Sequence, residues 1–75
     1  MTHPLVTDLG TRIREARRTA GYKNVEQLAV ELGVGQRTLQ RWETGRSEPS
    51  LTRLIQISQA TKRPLSFFFN GEGAA

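Results

Sequence analysis

The sequence predicts an all-α fold, a compact arrangement of five short helices, from three observations. Gly21, Gly33, Gly45 and Pro64 cut the 75 residues into pieces of helical length. Within the pieces, apolar residues return three or four positions apart, and nothing reads as strand. Good N-cap residues, Asn24 and Ser50, stand where pieces restart. The folded domain is expected over 8–70, between a flexible N-terminal arm at 1–7 and a flexible C-terminal tail at 71–75.

The first helix is expected from Asp8 to Ala20, with Leu9, Ile13, Ala16 and Ala20 on one face and Gly21 as a left-handed C-cap. Its other face carries Arg12, Arg14, Arg17 and Arg18 against the single Glu15. For Arg12, Arg14 and Arg18 the plain reading is a solvated face. The second helix opens at Asn24, with Gln27 completing a capping box, and its apolar face is Val25, Leu28, Ala29 and Leu32. After Gly33, only Val34 and Gly35 precede a third helix over 36–44, whose buried pair is Leu39 and Trp42. At helical spacing from Leu39, Trp42 reads as core rather than as a base-stacking ring. The segment Arg46-Ser47-Glu48-Pro49 forms a turn, and a fourth helix from Leu51 to Thr61 is expected to bury Leu51, Leu54, Ile55 and Ser58. A last short helix, Leu65 to Phe69, follows Pro64 and stops at Asn70-Gly71. Its three consecutive phenylalanines exceed one helical face, so one or two fill the core and the spare ring is a candidate dimer contact. Tyr22 is expected to pack in its loop.

Two short helices joined by a glycine-containing turn make a helix-turn-helix. Ala29 supplies the small residue needed where the helices cross. Gly33 supplies the positive φ of the turn, and Val34 plugs the angle between the helices. Leu28, Leu39 and Trp42 then hold the second helix of the motif, leaving Gln36, Arg37, Gln40 and Arg41 outward. Arginine and glutamine are side chains that read guanine and adenine edges in the major groove by paired hydrogen bonds.

These residues carry a family resemblance. The stretches LGTRIREARRTAG, LAVELGVGQRTLQRWETGRSEPS and LTRLIQISQATKRPLSFFF, from Leu9 to Phe69, resemble the lambda-repressor-like (phage repressor and Cro) helix-turn-helix proteins. The signature is Leu28-Ala29, Gly33-Val34, Leu39, Trp42-Glu43, Gly45 and Pro49. The resemblance implies a five-helix fold whose third helix lies in the major groove. It implies base contacts from Gly35, Gln36, Arg37, Gln40 and Arg41, and phosphate contacts from Arg17, Asn24, Val25, Thr44, Arg46 and Ser47. It also implies an ion pair between Arg17 and Glu43. Three positions depart from the pattern. Val25 replaces a frequent glutamine, Gly35 replaces the usual Ser or Thr N-cap, and the loop from Gly21 to Asn24 is one residue longer.

Composition narrows the function classes. Eleven Lys plus Arg against seven Asp plus Glu give a net charge of +4, and only Lys23 and Lys62 are lysines. Such a balance suits nucleic acid, with an anionic membrane surface or an acidic protein as rivals. The absence of cysteine removes thiolate chemistry and fits a reducing cytoplasm. No run of 18 apolar residues and no signal-like N-terminus is present, so a protein inside the cell is expected. His3 is the single histidine, with no second ligand near it, and no nucleotide-binding motif occurs, so neither enzyme activity, metal, cofactor nor small-molecule ligand is expected.

The combined expectation is sequence-specific binding of double-stranded DNA by a transcriptional repressor or regulator: a phage immunity repressor, a Cro-like protein or a small bacterial regulator. A homodimer on a palindromic or pseudo-palindromic operator in a bacterial cytoplasm follows, because one such domain buries only about 600–1,000 Å² on DNA. The alternative is an antitoxin or interaction module that grips another protein through its aromatic C-terminus.

Overall fold

The computed structural model describes residues 4–69, with side chains from Asp8 onward; His3, the Asn70-Gly71 stop and the termini at 1–3 and 71–75 lie outside the described residues. Five helices follow in order: α1 (Pro4–Thr19), α2 (Val25–Leu32), α3 (Gln36–Glu43), α4 (Leu51–Thr61) and α5 (Leu65–Phe69). No strand occurs among the described residues. The helix expected from Asp8 begins instead at Pro4, so residues 4–7 belong to α1 and not to an arm. Proline favours that first position, where its fixed φ suits the helix and no N–H partner is needed.

Each of the first four helices stops by the same device. The chain turns left-handed at Gly21, Gly33, Gly45 and Lys62, and the next N–H reaches back five residues. Those bonds are Tyr22 to Arg17 O (3.0 Å), Val34 to Ala29 O (3.0 Å), Arg46 to Arg41 O (2.9 Å) and Arg63 to Ser58 O (3.1 Å). Helix starts use side chains. Asn24 Oδ1 accepts from Gln27 N–H at 3.0 Å, and Ser50 Oγ accepts from Arg53 N–H at 3.1 Å. Gln27 also reaches back as a capping box requires, but its Oε1 accepts from Lys23 N–H, one residue before the cap.

α1 packs on α3, α4 and α5, while α2 packs on α3 and α4. The core is Leu9, Ile13 and Ala16 of α1, Leu28, Ala29 and Leu32 of α2, Leu39 and Trp42 of α3, Leu54 and Ile57 of α4, and Phe68 of α5. Val34, Tyr22 and Val25 are partly buried against it, as are Leu65 and Phe67. Phe69 is the spare ring, at 41% exposure.

α4 turns a different face inward from the one expected. Leu51 is 63% exposed and Ile55 39%, whereas Ile57 and Thr61 are buried with Leu54, and Ser58 is half-buried. Positions 51, 54, 55, 58 and positions 54, 57, 58, 61 are both helical stripes, sharing two members. The second meets α1, α2 and α5, with Leu54 and Ile57 in the core, and the Thr61 hydroxyl donates to Ile57 O at 2.7 Å, so this polar residue enters the interior satisfied. Ala20, expected on the apolar face of α1, lies past the helix end and is exposed.

Candidate nucleic-acid interface

The short helix α3 is held on three sides. Leu39 is fully buried and Trp42 nearly so, which roots its inner face in the core. Its N-terminal end hangs from the α2 turn, where Val34 N–H bonds Ala29 O. Its C-terminal end lies against α1 at Gly10. A Cβ there would stand 2.7 Å from both Trp42 O and Glu43 O, so only glycine lets the two backbones meet this closely.

Glu43 closes the same contact. Its carboxylate is buried and accepts from Arg17 Nε at 2.7 Å and from Arg17 Nη2 at 3.4 Å. Arg17 Nη1 donates to Tyr22 O at 3.0 Å, which ties the α1–α2 loop to the pair. Arg14 Nε stands 3.7 Å from the other carboxylate oxygen of the pair, Oε1. The expected Arg17–Glu43 pair is therefore formed, and it leaves Arg17 almost wholly buried with two of its five N–H donors uncommitted.

With one face rooted, the other is presented. Gln36, Arg37, Gln40 and Arg41 are all exposed, as is Thr44 at the helix end. Arg37, Gln40, Arg41, Thr44 and Arg46 line one open concavity. Among the described residues no carboxylate pairs with Arg37, Arg41 or Arg46. This concentrates unneutralised positive charge beside two amide side chains. Gly35 is the N-cap without a side-chain bond, in extended backbone and exposed.

The remaining expected contacts surround α3 unequally. Asn24 is exposed, with its carbonyl oxygen engaged by Gln27 N–H and its amide N–H groups outward-available. Val25 is half-buried against the core, so its backbone N–H in the first turn of α2, not its side chain, is the group it can offer. The Thr44 hydroxyl donates back to Gln40 O at 3.0 Å. Arg46 is exposed and Ser47 half-buried, and both backbone N–H groups bond Arg41 O.

The reading of the sequence passed over Gly10, Arg53 and Arg63, and it gave Arg12 a solvated face where the structure stacks it on a ring. Gly10 carries no local signal, since its role appears only when α3 arrives. Arg53 Nη1 donates to Leu32 O at 2.9 Å and ties α4 to the end of α2. Arg12 and Arg63 both stack on Phe67, 5.0 and 4.9 Å from its centroid, while Arg63 also bonds Thr19 Oγ1. Among the described residues no group of His, Asp or Glu could hold a metal, and no helix is long and apolar enough to cross a membrane.

A profile of the helix-turn-helix family matches residues 13–68. The chain is 37% identical over 68 residues to a protein of Rhodospirillum rubrum named an uncharacterized transcriptional regulator in the ATPase CF(0) region, covering 91% of this chain and 62% of that relative. It is also 37% identical over 67 residues to an uncharacterized HTH-type transcriptional regulator of Sinorhizobium medicae, covering 89% of this chain and 48% of the relative. The chain thus spans about half to three-fifths of the length of these relatives. No solved structure matches the chain significantly. The five helices, the turn at Gly33 and the profile match together make this chain a member of the lambda-repressor-like helix-turn-helix family.

Proposed function

We propose that this chain binds double-stranded DNA sequence-specifically and acts as a transcriptional repressor or regulator, with α3 in the major groove. The observation that carries the reading is the two-sidedness of α3. One face is locked by Leu39, Trp42 and Glu43, and the other offers Gln36, Arg37, Gln40 and Arg41, with no carboxylate partner for either arginine among the described residues. A readout helix must hold its side chains within small tolerances while leaving their donors unsatisfied until DNA arrives. The relatives named as transcriptional regulators support the same reading.

In this reading Gly35, Gln36, Arg37, Gln40 and Arg41 face bases, while Arg46, Ser47, Thr44, Asn24, the Val25 N–H and the spare donors of Arg17 face phosphates. Phosphate contacts set the register and base contacts select the sequence. Two copies act together on a palindromic or pseudo-palindromic site, with half-sites one helical turn apart, because a single domain buries too little surface for tight specific binding. Leu51, Ile55 and Phe69 offer apolar surface for the contact between copies. The site of action is the bacterial cytoplasm, where the dimer bound over a promoter blocks polymerase.

Selection from a random-sequence duplex pool gives the preferred site, and substitutions then test the roles. Arg37→Ala and Arg41→Ala should each cost about 1–3 kcal/mol on that site and relax preference at one base pair. Arg46→Ala should weaken all sequences alike and flatten the salt dependence by about one unit. Equal losses for all three on every sequence would refute the division between readers and phosphate contacts.

A further inference from the structure

The eleven basic residues divide sharply once their partners are identified. Arg17 is locked on Glu43, and Arg53 is engaged by Leu32 O and by Gln56 Oε1. Arg12 and Arg63 hold the Phe67 ring, with Arg12 also 3.6 Å from Glu15 and Arg63 bonded to Thr19. The residues left without an ion-pair partner among the described residues include the three arginines at α3, already assigned, and Arg18 of α1. Arg14 is intermediate. Its contact with Glu43 is long, its side chain is 50% exposed, and that carboxylate is already matched by Arg17.

Arg14 and Arg18 stand one turn apart on α1, about 6 Å along its axis. Their place on the helix is set by their neighbours. Gly10, Arg14 and Arg17 all meet the last turn of α3, so this flank of α1 borders the end of the presented face where Arg46 N–H bonds Arg41 O. From there Arg18 continues toward the α1–α2 loop, which Arg17 holds through Tyr22 O and which leads into Asn24. Thr11, Arg14, Glu15, Arg18 and Thr19 line one shallow depression. Two like charges one turn apart repel each other and weaken a helix by a few tenths of a kcal/mol. Their placement is accounted for if an anion lies against both.

We propose that the α1 flank of Arg14 and Arg18 is a second phosphate-binding surface, which grips the duplex backbone beside the groove that α3 occupies. This rests on the DNA-binding reading above and adds a contact surface outside the helix-turn-helix. It runs from the α1 contact with the last turn of α3 toward the loop that leads into Asn24. The surface is indifferent to sequence, since a phosphate carries no base identity. Glu15 also lines the depression and places one carboxylate beside the two arginines, its Oε1 3.6 Å from Arg12 Nη1.

The test compares the full chain with Arg14→Gln, Arg18→Gln and the double variant on the selected site and on random duplex, across a salt series. Thermal unfolding confirms that each variant is folded. Arg18 has no ion-pair partner among the described residues, so Arg18→Gln serves if Arg14→Gln perturbs the Glu43 contact. Each substitution should shallow the slope of log K against log salt by about 0.9 on both duplexes and leave their ratio of affinities unchanged. If Arg41→Ala weakens binding while folded Arg18→Gln and the double variant keep the original slope, this surface does not touch DNA and the proposal is overturned alone. If the unsubstituted chain binds neither duplex at low salt, the DNA reading falls and takes this surface with it.

Discussion

At Glu43 a buried carboxylate meets two guanidiniums, and both the packing of α1 on α3 and the seating of the α1–α2 loop depend on it. Removing one partner of a buried pair leaves the other charge uncompensated, at a cost of about 3–5 kcal/mol. A domain of this length has a total stability of roughly 4–11 kcal/mol. Glu43→Gln should therefore bring the protein close to unfolding, seen as a large drop in the urea midpoint. Arg17→Met combined with Glu43→Leu removes both charges and should recover most of that loss, since apolar replacements of a buried pair are often neutral. If the double substitution is as unstable as the sum of the two single ones, the pair is not acting as a unit. Arg17 and Glu43 could be named as partners from the family resemblance, but Arg14 could not. Its approach to the same carboxylate depends on the helix crossing, which local spacing does not encode.

Among the elements, α3 owes its position more to its neighbours than to itself. Eight residues with an uncapped start form too short a helix to persist alone in water, so tertiary packing must supply its stability. Gly10 is the clearest instance. Glycine inside a helix costs about 1 kcal/mol relative to alanine, so Gly10→Ala improves the local propensity of α1. The added Cβ, however, meets two backbone carbonyls of α3 at 2.7 Å, and backbone cannot swing aside. The net result should be a destabilisation of about 1–3 kcal/mol, with weaker DNA binding because α3 is displaced. A melting temperature above that of the unsubstituted chain would show the contact to be slack. The stops at Gly21, Gly33 and Gly45 were legible because a left-handed cap demands glycine locally. The end of the fourth helix at Thr61 was legible too, but not its left-handed device, since a non-glycine residue at Lys62 hides that geometry.

For the whole molecule, the unexpected face of α4 matters most. Leu51 and Ile55 lie one turn apart and exposed, on a helix whose other side is filled by Leu54, Ile57 and Thr61. Leu51→Glu with Ile55→Glu should change monomer stability by no more than about 0.5 kcal/mol per site. If these residues join two copies, the same variant should lose cooperative occupation of paired half-sites in gel-shift titrations while retaining weak binding to one. Unchanged cooperativity would move the contact between copies elsewhere, with the exposed ring of Phe69 next to be tested.

What the sequence determined by itself was everything local or periodic: five helices, glycine stops, the turn at Gly33-Val34, and the pairing of an inward Leu39–Trp42 with an outward Gln36, Arg37, Gln40 and Arg41. These follow from steric limits on φ and from a 3.6-residue repeat, which act over a few residues. Only the tertiary structure decided which stripe of α4 went inward, why residue 10 is glycine, and which arginines are bound internally and which stand unpaired. Each of those depends on an atom brought from a distant part of the chain, and one helix's own spacing does not specify its neighbour's position.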